Sequence, residues 1–185
     1  MDVEELERMA KQGDPNAMAL LSDAYGMGYW GVEQDFLKQT EWLKKLAEQG
    51  DAFSQYVLGC FYQCGHGVEK DCAEAVKWFK RAAMQGYDSA YYSLGLCYYD
   101  GNGVKQDYVE AVRLYKKVAE KADDSSACED PEDVDLYGMA QCCLGTCYEK
   151  GHGVEKDCAE AVKWYKKAVA RGDEYAKKAL ADLLE

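Results

Sequence analysis

Residues 65–78 read GHGVEKDCAEAVKW, and the same fourteen letters recur at residues 151–164. A looser copy begins with GNGV at residues 101–104, and a more degenerate copy begins at Gly31-Val32. Self-similarity of this kind is typical of repeat architectures, in which one supersecondary unit is stacked several times. The period of the copies therefore determines how the chain is divided.

The spacing of equivalent residues gives a repeat of 36 residues. An aspartate follows each glycine-containing segment, and successive copies are 36, 36 and 50 residues apart, at Asp35, Asp71, Asp107 and Asp157. The longer last step predicts an insertion of 14 residues. We assign one domain that consists of a half-repeat helix at 2–13, repeats at 14–50, 51–86, 87–122 and 137–172, the insertion at 123–136, and a capping helix at 173–185.

Each repeat contains two helical patterns separated by glycines. In the third copy, Ala90, Leu94 and Tyr98 form an i, i+4, i+8 stripe, and a second amphipathic stretch follows Asp107. An aspartate at the start of a helix can accept hydrogen bonds from the first free amides, so the recurring aspartates are predicted caps rather than catalytic acids. Glycines that we expect to end the second helices in a left-handed conformation are Gly50, Gly86 and Gly172.

A glycine also lies inside each first helix of the last three repeats, at Gly59, Gly95 and Gly145. Glycine in a helix costs about 1 kcal/mol relative to alanine, so its recurrence at one position indicates a packing requirement. We predict a close approach of the partner helix, with Trp78, Tyr115 or Trp164 filling the space. Since one helix pair is too short to bury its apolar face alone, stability must come from stacking, and the fold class is all-α.

The composition excludes several classes of protein. With 48% apolar residues and only 2 prolines among 185 residues, the chain is expected to be ordered. Its 22 basic and 34 acidic residues give a formal charge of −12, which would repel nucleic acid and anionic membranes. No apolar run is long enough for a membrane span, and the first residues lack a signal pattern. We expect a cytoplasmic location, with a periplasmic or secreted one as the alternative if a signal segment precedes these residues.

The chain has nine cysteines, an odd number that cannot all pair within one chain. We interpret them as reduced thiols of a cytosolic protein, with a disulfide framework as the alternative. Cys60 and Cys64, like Cys143 and Cys147, are spaced to share a helix face, but a closed zinc site needs four ligands. No metal site is therefore predicted.

The repeat resembles the Sel-one-like repeat, a relative of the tetratricopeptide repeat with a longer turn inside the helix pair. The second copy carries the pattern at Leu58, Gly59, Tyr62, Gly65, Gly67, Val68, Asp71, Ala75, Trp78 and Ala82. The third carries it at Ala90, Leu94, Gly95, Tyr98, Gly101, Gly103, Val104, Asp107, Ala111 and Tyr115. The fourth carries it at Ala140, Leu144, Gly145, Tyr148, Gly151, Gly153, Val154, Asp157, Ala161, Trp164 and Ala168. The resemblance implies a right-handed α/α superhelical solenoid of about ten helices, with about four helix pairs and terminal half-repeats.

The resemblance does not by itself specify an activity. A cysteine-rich bacterial branch of the family has one disulfide in each repeat, but the cysteines of this chain lie at other positions, so those bridges are not expected here. Some relatives in that branch have been described as penicillin-binding or β-lactamase-like, which leaves a hydrolase as an alternative function.

Motifs that could support catalysis or cofactor binding lack the context that they need. The Gly-x-Gly segments follow no strand and precede no Gly-Lys-Ser, so they are predicted turns rather than phosphate loops. His66 and His152 occupy equivalent turn positions and are explained by duplication. Neither Ser-x-x-Lys nor Gly-x-Ser-x-Gly is present. We therefore predict no catalytic residue, no cofactor and no enzymatic activity.

The insertion is strongly acidic. Its seven carboxylates belong to Asp123, Asp124, Glu129, Asp130, Glu132, Asp133 and Asp135. Because the order of ligands in a calcium loop is missing, we interpret residues 123–136 as a solvated acidic loop that could contact a basic partner.

Stacked helix pairs usually bind ligands with the first helix of each pair. By analogy with tetratricopeptide relatives, the predicted partner-binding residues are Phe53, Tyr56, Cys60, Ser89, Tyr92, Leu96, Tyr99, Met139, Cys142 and Thr146. The same face is expected to include Asn16, Ala19, Gln63 and Glu149. The alternative is that some of these side chains are packed between neighbouring repeats.

The sequence thus predicts a non-enzymatic scaffold or adaptor that holds a peptide or helix of a partner protein in a tyrosine-rich concave groove. The negative charge favours a basic or amphipathic ligand. A secreted effector that binds a host factor is a further alternative. The sequence does not specify the oligomeric state.

Overall fold

The structure is a computed structural model that describes residues 2–121 and 131–184, without the side chains of residues 131–134. Within these ranges the chain forms ten α-helices and no strand, which confirms the all-α repeat fold. The helices belong to two compact units, residues 1–87 and residues 88–185. Each unit is described by itself.

The first unit contains α1 to α5. These helices span Val3–Lys11, Pro15–Met27, Phe36–Glu48, Ala52–Cys64 and Cys72–Met84. Each helix packs against the next one in the chain, so that α2 with α3 and α4 with α5 form the helix pairs. Leu21 and Leu58 are fully buried in the apolar cores of these pairs.

The second unit contains α6 to α10. These helices span Asp88–Asp100, Tyr108–Ala119, Pro131–Lys150, Cys158–Ala170 and Glu174–Leu184. Here α6 pairs with α7 and α8 with α9, and α10 packs on α9. One core cluster includes Tyr115 and Leu144, and a second includes Tyr165 and Ala176. Burial of these side chains supplies the apolar area that a single helix pair could not provide.

The predicted helix caps are confirmed. Asp35, Asp71, Asp107 and Asp157 each accept a hydrogen bond from a backbone amide in the first turn of the following helix. The glycines that follow the second helices are also confirmed as left-handed, with φ of 102° at Gly50, 86° at Gly86 and 91° at Gly172. The local chemistry of the caps is therefore sufficient to define these helix ends.

The close approach at the glycines inside the first helices is confirmed, but two of its three predicted partners are wrong. A Cβ atom built on Gly59 would lie 2.6 Å from ring carbons of Phe79, not Trp78. One built on Gly145 would lie 2.6 Å from ring carbons of Tyr165, not Trp164. At Gly95 the partner is Tyr115, as predicted. Phe79 and Tyr165 follow the tryptophans by one residue, which turns the side chain by about 100° around the helix.

The acidic insertion is only partly described. Residues 122–130, which hold four of its carboxylates, lie outside the described residues. Helix α8 begins at Pro131, so the predicted loop is wrong for residues 131–136, which form the first turns of that helix. Leu136 is buried in the core of the second unit, and its burial explains why this part of the insertion is ordered as helix.

Two of the Gly-x-Gly turns contact the preceding repeat of their own unit. A Cβ atom on Gly67 would overlap the carbonyl oxygen of Phe36, the first residue of α3. The histidine beside this glycine packs on the same residue, with the rings of His66 and Phe36 4.1 Å apart. In the second unit Gly153 likewise meets the backbone of Tyr108 at the start of α7. Each turn therefore rests on the second helix of the preceding repeat.

Candidate functional site

The second unit has a pocket of about 260 Å³ on the face that the first helices present. It is lined by Leu96, Tyr99, Asp100, Tyr115, Cys143, Thr146, Lys150 and Tyr175. These side chains come from α6, α7, α8 and α10. We call this cavity the second-unit pocket.

Three of the predicted partner-binding residues line this pocket. Leu96 and Tyr99 lie on α6, and Thr146 occupies on α8 the repeat position that Leu96 occupies on α6. The 36-residue pattern places these positions on one face of the first helices, which is why the sequence could identify them. The pocket thus coincides with part of the predicted binding surface.

Tyr115 forms the buried floor of the second-unit pocket. Its ring fits against Gly95, where a Cβ atom would lie 2.6 Å from a ring carbon. Only 1% of the residue is exposed, and its hydroxyl has no nitrogen or oxygen partner. The neighbouring group is the thiol of Cys143, which is a weak hydrogen-bonding partner. A buried hydroxyl without a strong partner is uncommon in folded proteins.

Tyr99 is held in place by the turn between α8 and α9. Its hydroxyl lies 2.9 Å from Nδ1 of His152, and the ring of His152 stacks on Tyr108 with centroids 4.4 Å apart. Burial raises the pKa of Tyr99 to about 12, so the hydroxyl stays protonated at neutral pH. The tautomer of His152 decides which of the two groups donates this hydrogen bond.

Thr146 is part of a second hydrogen-bonded group. The hydroxyl of Tyr165 donates to Glu149 at 2.6 Å, and Thr146 Oγ1 lies 3.1 Å from the same hydroxyl. Thr146 also donates to the carbonyl of Cys142, 3.2 Å away. The proton of Thr146 is therefore used within the protein.

Tyr165 and Tyr115 allow a matched test, because both hydroxyls are buried but only that of Tyr165 has a strong hydrogen-bond partner. Tyr165→Phe should lower the free energy of unfolding by about 1.5 kcal/mol, because it removes a buried hydrogen bond to a charged group. Tyr115→Phe should change it by less than about 0.5 kcal/mol, because that hydroxyl lacks a strong partner. Urea unfolding of both variants measures the difference. Equal losses in the two variants would contradict the conclusion that the Tyr115 hydroxyl lacks a strong hydrogen-bond partner.

Asp100 and Lys150 provide the charges of the second-unit pocket. They are the last residues of α6 and α8, and both are exposed. Within residues 2–121 and 131–184, neither forms an ion pair. The sequence analysis missed both residues, although they hold the same position in successive repeats and that equivalence could have identified them.

The first unit has a comparable pocket of about 270 Å³ on its first helices. It is lined by Pro15, Asn16, Ala19, Ser22, Asp23, Leu43, Leu46, Asp51, Phe53 and Ser54. Phe53, Asn16 and Ala19 were predicted to belong to the binding face, and Phe53 is 58% exposed. Asp23 and Asp51 are the charged residues of this lining. This cavity is called the first-unit pocket.

The remaining predicted residues lie outside both pockets. Tyr56 packs with Phe79 and Tyr87, at ring distances of 5.9 and 5.2 Å. Cys60, Ser89 and Tyr92 are half-buried, whereas Met139 is 40% exposed. Tyr92 packs against Tyr115, with ring centroids 6.1 Å apart.

Cys142 was predicted to lie on the binding surface, but the structure buries it. Only 7% of the residue is exposed, since it packs with Tyr165 of α9 and Ala176 of α10. Its side chain is thus part of the core rather than of an open surface. The sequence analysis treated α10 as a cap and did not foresee that stacking of this helix would cover Cys142.

The chemistry of the thiols indicates low reactivity. Burial raises the pKa of Cys143 to about 11, although hydrogen bonds from Tyr92 and Tyr115 oppose the shift. Burial also raises the pKa of Cys147 to about 12. Since the thiolate is the reactive form, both cysteines are weak nucleophiles at neutral pH.

The parts of the chain that the structure covers contain no candidate metal site. There, no three histidine, cysteine or acidic side chains are grouped so that they could hold a metal ion. The eight cysteines described are all free thiols. No helix in these ranges is both long and apolar enough to cross a membrane.

Comparison with known families identifies the repeats. The family model of the Sel1 repeat matches residues 15–51, 52–87, 88–123 and 138–173, which is most of the chain. The chain belongs to the Sel1 repeat family. Sel1 repeat proteins are generally protein-interaction scaffolds and are mostly non-enzymatic. No curated protein sequence matches the chain significantly.

Solved structures of Sel1 repeat proteins are similar over nearly the whole chain. The protein c5321, a protective antigen present in uropathogenic Escherichia coli strains, is 34% identical with a TM-score of 0.79; the match covers 95% of this chain and 34% of that one. A Sel1 repeat protein from Oxalobacter formigenes is 33% identical with a TM-score of 0.73, over 98% of this chain and 48% of that one. The present chain therefore spans about a third to a half of the length of these relatives.

A more distant structure shares only the fold. Helicobacter pylori cysteine rich protein B is 23% identical with a TM-score of 0.50, over 76% of this chain and 96% of that one. The three structures together agree with an array of helix pairs as the common architecture of the family.

Proposed function

We propose that this Sel1 repeat protein is a non-enzymatic scaffold that binds a peptide or a helix of a partner protein on the first-helix faces of its repeats. The observation that carries the proposal is the presence, in each unit, of a pocket on this face. Both pockets include residues that the sequence analysis assigns to the binding surface.

Exposed apolar side chains at these pockets support the proposal. Phe53 of the first-unit pocket is 58% exposed, and Tyr175 of the second-unit pocket is 64% exposed. Aromatic side chains of this kind contribute much of the energy of protein interfaces, because they bury a large area at a small entropic cost. Each pocket thus has an aromatic side chain that can act as an anchor.

The charge favours a basic or amphipathic ligand. The chain has a formal charge of −12, and the first-unit pocket carries Asp23 and Asp51. A negative surface accelerates the encounter with a positive partner and disfavours an acidic one. We further propose a cytoplasmic location, because nine cysteines cannot all pair within one chain and unpaired thiols are typical of reducing compartments.

The proposal predicts that Phe53→Ser and Tyr175→Ser each reduce the recovery of the partner by about tenfold, as expected for the loss of an interface anchor. The full chain would be used as bait in lysate of the source cells, and the recovered proteins would be quantified by mass spectrometry. Because both side chains are mostly exposed, the melting temperature of each variant should stay near that of the wild type.

Met84→Ser is the matched control. Met84 is 86% exposed but lies on the second helix α5, outside both pockets. Its substitution removes exposed apolar surface without changing the proposed binding face. If all three variants recovered the same proteins in the same amounts, the first-helix faces would not be the binding surface.

A further inference from the structure

The second-unit pocket has the size of a site for one side chain. Pockets for drug-sized ligands have volumes of roughly 300–1,000 Å³. The 260 Å³ of this pocket lies just below that range. Its lining includes the rings of Tyr99 and Tyr175 together with Leu96, which offer contact surface to a flat or aliphatic group.

The carboxylate of Asp100 is the one group of the pocket lining that can only accept hydrogen bonds. It is exposed and is not ion-paired within the described residues. A ligand group that binds this carboxylate must therefore bring hydrogen-bond donors.

Charges of both signs act on the floor of the pocket. Burial is the main reason for the raised pKa of Cys143, but the charges of Asp173 and Asp100 add to the shift. The charge of Asp100 likewise contributes to the raised pKa of Tyr115, which is again mainly due to burial. The charge of Lys150 acts in the opposite direction on the pKa of Cys147.

We propose that the second-unit pocket binds the guanidinium group of an arginine in the partner peptide, an inference that rests on the proposed scaffold function. A guanidinium has five N–H donors, carries a permanent positive charge and stacks on aromatic rings. It thereby matches the carboxylate of Asp100 and the tyrosine rings of this pocket. An ammonium group would match the charge, but it is more strongly hydrated and cannot stack as a plane.

Lys150 is the one positively charged residue of the lining and would repel a bound cation. Its effect on binding can be tested against that of Asp100. Asp100 and Lys150 are both exposed, and neither is ion-paired within the described ranges, so each can be changed without breaking a salt bridge. Asp100→Asn removes the attractive charge, whereas Lys150→Gln removes the repulsive one. The two variants should change the affinity for arginine in opposite directions.

The test is a ¹H–¹⁵N NMR titration of the full chain with Nα-acetyl-L-arginine N-methylamide. The amides of Leu96, Tyr99 and Thr146 should shift, and the saturable change gives the dissociation constant. The citrulline analogue has nearly the same shape without the charge and should bind at least about tenfold more weakly. The lysine analogue should bind more weakly than the arginine derivative.

The variants complete the test. Asp100→Asn should weaken binding of the arginine derivative by about five- to tenfold, the range for loss of a charge-assisted hydrogen bond near the surface. Lys150→Gln should tighten it by about two- to threefold, since it removes an exposed like charge. Melting temperatures near that of the wild type would show that both variants keep the fold.

Several results would overturn the proposal. Equal affinity for the arginine and citrulline derivatives, or no effect of Asp100→Asn, would exclude recognition of the guanidinium. Tighter binding of free L-arginine than of the blocked derivative would assign the pocket to a metabolite rather than to a peptide. If the arginine derivative did not bind while Phe53→Ser still reduced partner recovery, the arginine site would fail and the scaffold function would stand.

Discussion

Gly153→Ala should lower the free energy of unfolding by about 3–4 kcal/mol. Two costs add at this position. Gly153 has φ of 72°, in the left-handed region where an alanine is strained by about 1–2 kcal/mol. The new Cβ would also overlap the carbonyl group of Tyr108 and lie 2.7 Å from the amide nitrogen of Val109.

The clash cannot be relieved by a side-chain rotation. Tyr108 and Val109 form the first turn of α7, and the capping carboxylate of Asp107 accepts hydrogen bonds from Val109 and Glu110 in that turn. The turn between α8 and α9 must therefore separate from α7. This movement would also remove the stacking of His152 on Tyr108.

Gly172→Ala is the matched control for the strain that an alanine experiences in the left-handed backbone conformation. Gly172 also has positive φ, 91°, but a Cβ atom there meets nothing within 4 Å. We expect a loss of only about 1 kcal/mol. Thermal unfolding followed by circular dichroism should show a decrease of about 6–16 °C in the melting temperature for Gly153→Ala and about 2–4 °C for the control. Similar decreases would mean that the turn does not rest on α7.

The architecture could be predicted from the sequence because it depends on short-range rules that recur in every repeat. The caps at Asp71 and Asp157 and the left-handed glycines at Gly86 and Gly172 depend only on a few adjacent residues. The same pattern occurs in four copies, and their spacing gives both the repeat period and the division into helix pairs. The helix order therefore agrees with the prediction.

The packing partners could not be predicted with the same accuracy. The sequence pattern shows that a bulky ring must fill the space at Gly145, but it does not distinguish Trp164 from Tyr165. One residue changes the direction of a side chain by about 100°, which decides whether it faces its own partner helix or a neighbouring one. Only the structure identifies Tyr165 as the ring beside Gly145.

The candidate site likewise contains some residues that could be assigned from the sequence and others that could not. Leu96, Tyr99 and Thr146 could be assigned because a helix face is a periodic property of the sequence. Tyr175 could not, because it comes from α10, a helix that the sequence analysis treated as a cap. Which side chains share a pocket depends on how separate repeats stack, and a single repeat does not contain that information.

Helix α8 allows a second test, in which one substitution is expected to have opposite effects at two positions. Gly145→Ala should lower the free energy of unfolding by about 2 kcal/mol, because overpacking costs more than the gain in helix propensity. The new Cβ would lie 2.6 Å from two ring carbons of Tyr165. That ring is fully buried, and its hydroxyl is fixed by Glu149 at 2.6 Å, so it cannot turn away.

Gly138→Ala in the same helix should instead raise the free energy of unfolding by up to about 1 kcal/mol. A Cβ atom at Gly138 would lie 3.4 Å from Cβ of Arg171, which is an ordinary van der Waals contact. The higher helix propensity of alanine is then not offset by a steric clash. Urea unfolding of both variants would measure whether each substitution raises or lowers the free energy of unfolding. Stabilisation by Gly145→Ala would show that the packing of Tyr165 does not require glycine at this position.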